Sequence, residues 1–297
     1  MLKVPEHQVA GHKAINGQLG PLVDDSGRFY KPLQGDERGS TELAFYNAFS
    51  SDKRIPDHIR GFFPVFHGTQ LVEASDGSGL RPHIVLQDIV SGRVNASIMD
   101  VKIGSRTWYP QSSYEYVQRC LNKDKETTSL ALGFRISGLQ VYEKKQSGYW
   151  KPSKKIVQQF NADDVRSVLR KFVSSNASAS KPDHAFASTV YGEILAQLKE
   201  LKAWFEEQTA YHFNSCSVLM LYDEQSLLKG AEVKLVDFAH VMEGNGVIDH
   251  NFLGGLCSLI KFISDILADL NENSNGALEK DSEERSAATE NGSHLQK

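Results

Sequence analysis

A chain of 297 residues, 40% hydrophobic and 24% charged, can bury one or two substantial cores, because domains usually run to roughly 100 to 200 residues. Its opening Met1-Leu2-Lys3-Val4-Pro5-Glu6 puts charge and proline where a secretory signal needs an apolar run, and no later stretch reaches the roughly 18 apolar residues of a membrane span, so the nucleus and cytoplasm are the expected locations. Three widely spaced cysteines, Cys120, Cys216 and Cys257, offer neither a disulfide framework nor a Cys-x-x-Cys zinc site, and a net charge of -4 argues against direct nucleic-acid binding while leaving room for a basic cluster around a small anion.

Gly27 to Leu33 reads as a short strand carrying Lys31, and Ser40 to Tyr46 as the opening of a helix capped by Ser40 or Thr41; a strand lysine thus precedes a helix glutamate, Glu42. Arg81 to Val90 is an apolar strand running into the turn Ser91-Gly92, where a hinge between two lobes would lie. From Ser97 to Ile103, period-two alternation sends Ile98, Asp100 and Lys102 to one face and Met99, Val101 and Ile103 to the other. Tyr114 to Lys123 is an amphipathic helix with Tyr114, Val117 and Leu121 on one face and the cations Arg119 and Lys123 on another.

Residues 144–185 have little apolar periodicity, and Ser174 to Pro182 reads as a weakly ordered loop. A long helix is expected from Tyr191 to Phe213. Ser217 to Tyr222 and Val233 to Phe238 form an antiparallel pair, with Val233, Leu235 and Asp237 pointing the same way. The last helix covers Asn251 to Leu270, and the polar residues 271–297 compose a disordered tail.

Phosphoryl transfer needs cations around a triphosphate, a carboxylate for Mg²⁺ and a group that orients the attacking hydroxyl. Lys31 and Glu42 have the strand-lysine, helix-glutamate arrangement of protein kinases, although a solvated ion pair would give the same pattern. Asp100-Val101-Lys102-Ile103-Gly104 puts a carboxylate and an ammonium side by side, followed by a glycine where backbone could pass close to a ligand; an ion ladder on an edge strand is the alternative. Val236-Asp237-Phe238 places an aspartate where kinases hold the metal. Ser217 is a candidate second ligand or a hydroxyl bonding its own backbone, and His240 is a site residue or a core histidine. No Gly-x-Gly-x-x-Gly, Walker or His-Arg-Asp motif occurs, which excludes an ordinary protein kinase or P-loop NTPase.

The ordered series of motifs resembles the inositol polyphosphate kinases, and among them the plant multikinases. It runs from Lys3-Val4-Pro5-Glu6-His7-Gln8-Val9-Ala10-Gly11-His12 through Lys31-Pro32-Leu33-Gln34-Gly35-Asp36 to Asp100-Val101-Lys102-Ile103-Gly104, then Tyr211-His212-Phe213-Asn214-Ser215-Cys216-Ser217, Leu235-Val236-Asp237-Phe238-Ala239-His240 and the stretch from Asn245 to Leu256. The resemblance covers about residues 1–270, and it departs at Ala96, where the family signature Pro-x-x-x-Asp-x-Lys-x-Gly has proline, and at Gln87, where an acidic residue is usual.

The resemblance implies an α+β, two-lobed, protein-kinase-related fold: a catalytic domain over 1–270 with an N-lobe of about 1–88 and a small helical inositol-binding insert of about 110–130. It implies ATP contacts from Lys31, Asp100, Asp237 and the Gln87-Asp88-Ile89 backbone, catalytic roles for Asp100 and Lys102, and Mg²⁺ on Asp237 with Ser217. Arg38, Lys102, Arg119, Lys123 and His240 would face the acceptor. The activity implied is a multikinase that phosphorylates inositol 1,4,5-trisphosphate and tetrakisphosphate at the 6- and 3-hydroxyls towards the pentakisphosphate, acting as a monomer on soluble partners without membrane insertion. Rival readings are a degenerate kinase serving as a signalling or nuclear scaffold, and a kinase for a phosphoinositide head group. Ala96→Pro is expected to leave the mechanism intact and, at a compatible φ, to stabilise the chain.

Overall fold

The computed structural model describes residues 1–11, 14, 17–174, 184–223 and 230–292, with side chains of the last helix described to Glu272. The first half supplies β1 (Leu22–Val23), β2 (Arg28–Pro32), α1 (Glu37–Ser51), the short α2 (Asp57–Arg60), β3 (Phe66–Glu73) and β4 (Leu80–Gln87). Its strands form an antiparallel sheet in the order β1-β2-β4-β3, which places Lys31 of β2 opposite Ile84 of β4. Helix α1 begins upstream of the expected Ser40 or Thr41, because Asp36 accepts a hydrogen bond from the Arg38 N–H and caps the first turn.

The second half opens with β5 (Ser97–Ile103), followed by α3 (Tyr114–Glu126), α4 (Ser129–Leu132), β6 (Phe134–Glu143), β7 (Gly148–Trp150), α5 (Lys154–Gln158), α6 (Ala162–Phe172) and α7 (His184–Glu207). β8 (Tyr211–Phe213), β9 (Ser217–Tyr222), β10 (Glu232–Val236), β11 (Val241–Glu243) and α8 (His250–Gly292) complete it. A five-stranded sheet has the order β10-β9-β5-β6-β7, and β11-β8 form a separate ribbon. Met99, Val101 and Ile103 enter the main core from β5, as the alternation requires, while Ile98, Asp100 and Lys102 line a cleft.

The main core spans both halves. Phe45 and Phe49 of α1 meet Phe63, Phe213 and Phe238, with ring centroids as close as 4.1 Å for Phe49 and Phe63 and 4.5 Å for Phe45 and Phe238. The helix expected over Tyr191 to Phe213 instead covers His184–Glu207. Gln208 ends it: its Oε1 accepts from the Ala210 and Tyr211 N–H groups, and the aromatic Tyr211–Phe213 then pairs with β11.

Where little periodicity was expected, over 144–185, the chain forms α5, capped by Ser153 accepting from the Ile156 N–H, and α6, which has a capping box of Asn161 with Asp164 and buries Val165, Val168, Leu169 and Phe172 at helical spacing. The loop expected from Ser174 to Pro182 lies, after Ser174, outside the described residues. Helix α8 continues past Leu270 to Gly292, a stretch without proline that carries five glutamates and three alanines, so the helix expected to end at Leu270 is longer. Tyr114, expected on the buried face of α3, is 78% exposed because it is the first helical residue after the Ser113 cap.

Candidate active site

A cleft of about 1560 Å³ lies between the two sheets, and every residue singled out from the sequence lines it: Lys31, Arg38, Gln87, Asp88, Ile89, Asp100, Lys102, Arg119, Lys123, Ser217, Asp237 and His240. Its floor is an ion-pair chain. The Lys31 ammonium is 2.8 Å from Glu42 Oε1 and 3.1 Å from Asp237 Oδ1, with Glu42 nearly fully buried at 4% exposure. Burial works against the Lys31 charge, but Glu42 and Asp237 outweigh it and raise its pKa. In turn the Lys31 ammonium, opposed by burial and helped by Lys102, holds the Asp237 carboxyl below the usual carboxylate range.

Asp237 does not continue the face of Val233 and Leu235. β10 ends at Val236, and Asp237 takes a left-handed φ of 68° that turns its carboxylate to Lys31. The residue after it supplies the anchor: Phe238 is fully buried among Phe45, Tyr46 and Phe63, and its N–H donates to Glu42 Oε1 at 3.3 Å.

Asp100 and Lys102 share the cleft face but are not paired to each other in an exposed ladder. Lys102 Nζ donates to the Ser215 carbonyl at 2.6 Å and to Ser215 Oγ at 3.2 Å. Asp100 is 5% exposed, and its Oδ1 has no hydrogen-bond partner among the described residues. Burial, and then the charge of Asp237, push its carboxyl up to about 6 in spite of Lys102. Ser217, opposite Lys102 in the β5–β9 register, is fully buried, and its hydroxyl works with Lys102 against the rise of the Asp100 pKa. No group of three or more His, Cys, Asp or Glu among the described residues forms a dedicated metal cage. The buried Asp100 and Ser217 oxygens beside Asp237 suit a different kind of site, in which one or two carboxylates hold a Mg²⁺ shared with substrate phosphates.

Gly104 proves to serve packing rather than a ligand. Its φ is 110°, and a Cβ there would lie 2.5 Å from Asn251 Nδ2 at the start of α8. Asn251 bonds the Arg106 N–H at 3.1 Å and its carbonyl at 2.9 Å, so the glycine lets α8 lock the end of the catalytic strand.

At the hinge, two of the three backbone N–H groups of Gln87, Asp88 and Ile89 are already engaged: the Gln87 N–H with the Val65 carbonyl and the Asp88 N–H with the Gly27 carbonyl, each at 2.8 Å. The Ile89 N–H has no acceptor among the described residues, which narrows the expected backbone donor to that group. Val9, Ile89, Val90, Ile98, Leu219 and Val236 form an apolar patch beside it.

The other end of the cleft is basic. Arg38 is held by its neighbour Asp36 at 2.7 Å, Arg119 lies over the Tyr116 ring at 5.9 Å, and Lys123 faces the cleft from α3. Desolvation, and then the cations Arg135, Lys154 and Lys102, lower the Lys123 pKa. His240 Nε2 is 3.1 Å from the Tyr116 hydroxyl, and burial followed by Lys102 and Arg38 lowers the imidazole to about 4, so it is neutral at pH 7. Sequence reasoning missed Tyr116, Arg135 and Lys154. Arg135 was readable only as an alternation in Phe134 to Val141; buried, it pairs with Asp124 at 2.9 Å, and Asp124 also accepts from the Thr107 N–H at 3.0 Å, which pins α3 to β6 and to the loop after β5.

The family model described as Inositol polyphosphate kinase matches residues 83–264, more than half of the chain and all of the second-half cleft residues. The chain belongs to the inositol polyphosphate kinase family. It is a phosphotransferase with an alcohol group as acceptor. Among its relatives, inositol polyphosphate multikinase beta of Arabidopsis thaliana is 59% identical over 98% of this chain and 100% of its own length. An inositol polyphosphate multikinase of Oryza sativa subsp. indica is 52% identical over 91% of this chain and 96% of its own length. A solved inositol phosphate multikinase structure superposes with a TM-score of 0.68 at 53% identity, covering 76% of this chain and 99% of that one. The S. cerevisiae inositol phosphate multikinase, solved with ADP and Mn²⁺, shares the fold at a TM-score of 0.66 and 21% identity, covering 81% of this chain and 99% of that one.

Proposed function

We propose that this chain is an ATP-dependent multikinase that phosphorylates inositol 1,4,5-trisphosphate and the resulting tetrakisphosphate at the 6- and 3-hydroxyls. The observation that carries the reading is the meeting, in one cleft, of the Lys31–Glu42–Asp237 chain with the buried Asp100 and with a basic wall made by Arg38, Lys102, Arg119 and Lys123. An adenine would lie on the apolar patch with the Ile89 N–H as donor, and the triphosphate would extend over Lys31. Asp237, with Ser217, would hold Mg²⁺, which when bound neutralises phosphate charge as it is transferred.

In this reading the chain's residues act in sequence along the cleft. Lys31, kept protonated by two carboxylates, orients the ATP phosphates. Lys102, fixed by Ser215, lies where donor and acceptor phosphates meet and stabilises charge on the moving group. Asp100, with a carboxyl poised at about 6, accepts the hydrogen of the attacking hydroxyl. Arg38, Arg119, Lys123 and neutral His240 hold the acceptor's existing phosphates, and so decide which hydroxyl reaches Asp100.

The test is ATP consumption with a panel of soluble inositol phosphates, with products resolved by positional isomer, for the wild type and Asp237→Asn. Turnover on the trisphosphate to 6- and 3-phosphorylated products, nearly abolished in the variant at saturating Mg²⁺, is expected. Wild type without turnover on any panel member would overturn the reading, and retained activity in Asp237→Asn would overturn the metal assignment.

A further inference from the structure

The first eleven residues precede the stretch matched by the family model and cross the cleft from one half of the molecule to the other. At one end Lys3 pairs with Val23 of β1 in both directions, at 2.9 and 2.8 Å, and its ammonium lies 3.0 Å from Asp25. At the other end the segment rests on β6. Gln140 donates one amide hydrogen to His7 Nδ1 at 2.9 Å and the other to the Ala96 carbonyl at 3.0 Å, and the His7 ring packs edge-on against Tyr149. The Val9 carbonyl then passes so close to Gly138 that a Cβ there would come within 2.1 Å of it. Between these anchors the segment walls the hinge end of the cleft, and the Val9 side chain joins Ile89, Ile98, Leu219 and Val236 in the apolar patch.

A chain fastened to both halves and facing the pocket cannot stay seated if the halves part. We infer that residues 3–11 are part of the nucleotide site, a strap whose seating on β6 is coupled to nucleotide binding. The inference rests on the reading that the hinge end of the cleft takes the nucleotide. Coupling follows because the strap shares an apolar surface with the base: a bound base completes the contacts of Val9, and a seated Val9 shields the base from water. A strap that only braced the fold would change stability and leave the Michaelis constants where they are.

His7 and Gly138 hold the strap without being among the residues placed on ATP or acceptor. In the full-length protein, His7→Ala and Gly138→Ala should raise the KM for ATP by about three- to tenfold, the worth of one lost hydrogen bond, and leave the acceptor KM within about twofold. His7→Gln, whose carbonyl can accept from the same Gln140 N–H, should recover most of the loss. Hydrogen exchange of the amides of residues 3–11 should slow when ADP is added to the wild type. Should Gly138→Ala not fold, His7→Ala and its rescue decide the matter alone. An unchanged KM for ATP in His7→Ala, equal rises in both Michaelis constants, or exchange indifferent to ADP would overturn the strap. A wild type that consumes no ATP would instead overturn the nucleotide reading beneath it.

Discussion

Asn95 holds a left-handed φ of 55°, and Ala96 behind it is completely buried with its carbonyl bonded to Gln140. A proline at 96 would press its Cδ on the residue before it and drive that residue to extended backbone, which Asn95 does not have. The alanine and the left-handed asparagine therefore belong together in this chain. The stabilisation expected from Ala96→Pro is reversed: the variant should lose roughly 1 to 3 kcal/mol, the strain of a sparsely populated conformation, and melt several degrees below the wild type. Calorimetry of the two proteins checks it, and an equal or higher melting temperature for Ala96→Pro would show that the turn accepts the ring. At this scale much of the site was legible. Lys31 and Asp237 stood out as charges on a strand and at a strand end, and Glu42 as the helix glutamate that follows a strand lysine, whereas Arg135 and Tyr116 looked like ordinary members of a strand and a helix.

Elements were readable where a single physical pattern sufficed and obscure where several competed. β5 follows alternation, so its faces were legible, whereas β9 is an apolar run buried on both faces and β10 ends at Val236, before Asp237 turns off the face of Val233 and Leu235. α5 is a single short turn set by its cap, α6 carries a legible stripe of Val165, Val168, Leu169 and Phe172 that sequence reasoning missed, and α7 stops because the Gln208 side chain satisfies the backbone beyond it, a tertiary detail that no periodicity carries. Helix α3 shows what the legible part supports. Asp124 and Arg135 pin it, its cap is Ser113, and its basic face lines the cleft, so changes on that face should act on the acceptor alone. Lys123→Ala should raise the acceptor KM by about tenfold or more, since a charged hydrogen bond to phosphate contributes roughly 1.5 to 3 kcal/mol. Arg119→Ala should likewise raise it, and neither should move the KM for ATP. Equal losses for both substrates would place α3 at the nucleotide, against the proposal.

The whole molecule is arranged so that its least comfortable charge lies where its two sheets face each other. Aromatic packing joins the halves behind the cleft, and in front of it Asp100 is buried within reach of the Asp237 charge with an unbonded oxygen. The sign of that arrangement follows from linkage. The Asp100 pKa rises from 3.8 to about 6 on folding, so between those values the folded chain holds a proton that the unfolded chain has lost. Whatever stability this group gives is therefore present at low pH and is lost as the pH climbs through 6. At neutral pH, with neither metal nor nucleotide bound, the ionised carboxylate destabilises the fold by no more than roughly 3 kcal/mol, the free energy that corresponds to so raised a pKa. Asp100→Asn removes the charge while keeping the shape. It should melt several degrees above the wild type at pH 7.5, the gap should narrow as the pH falls to 5, and turnover should be lost at both. A variant less stable than the wild type at pH 7.5 would show that Asp100 is compensated in the folded chain and is not a carboxylate held uncomfortably for the reaction.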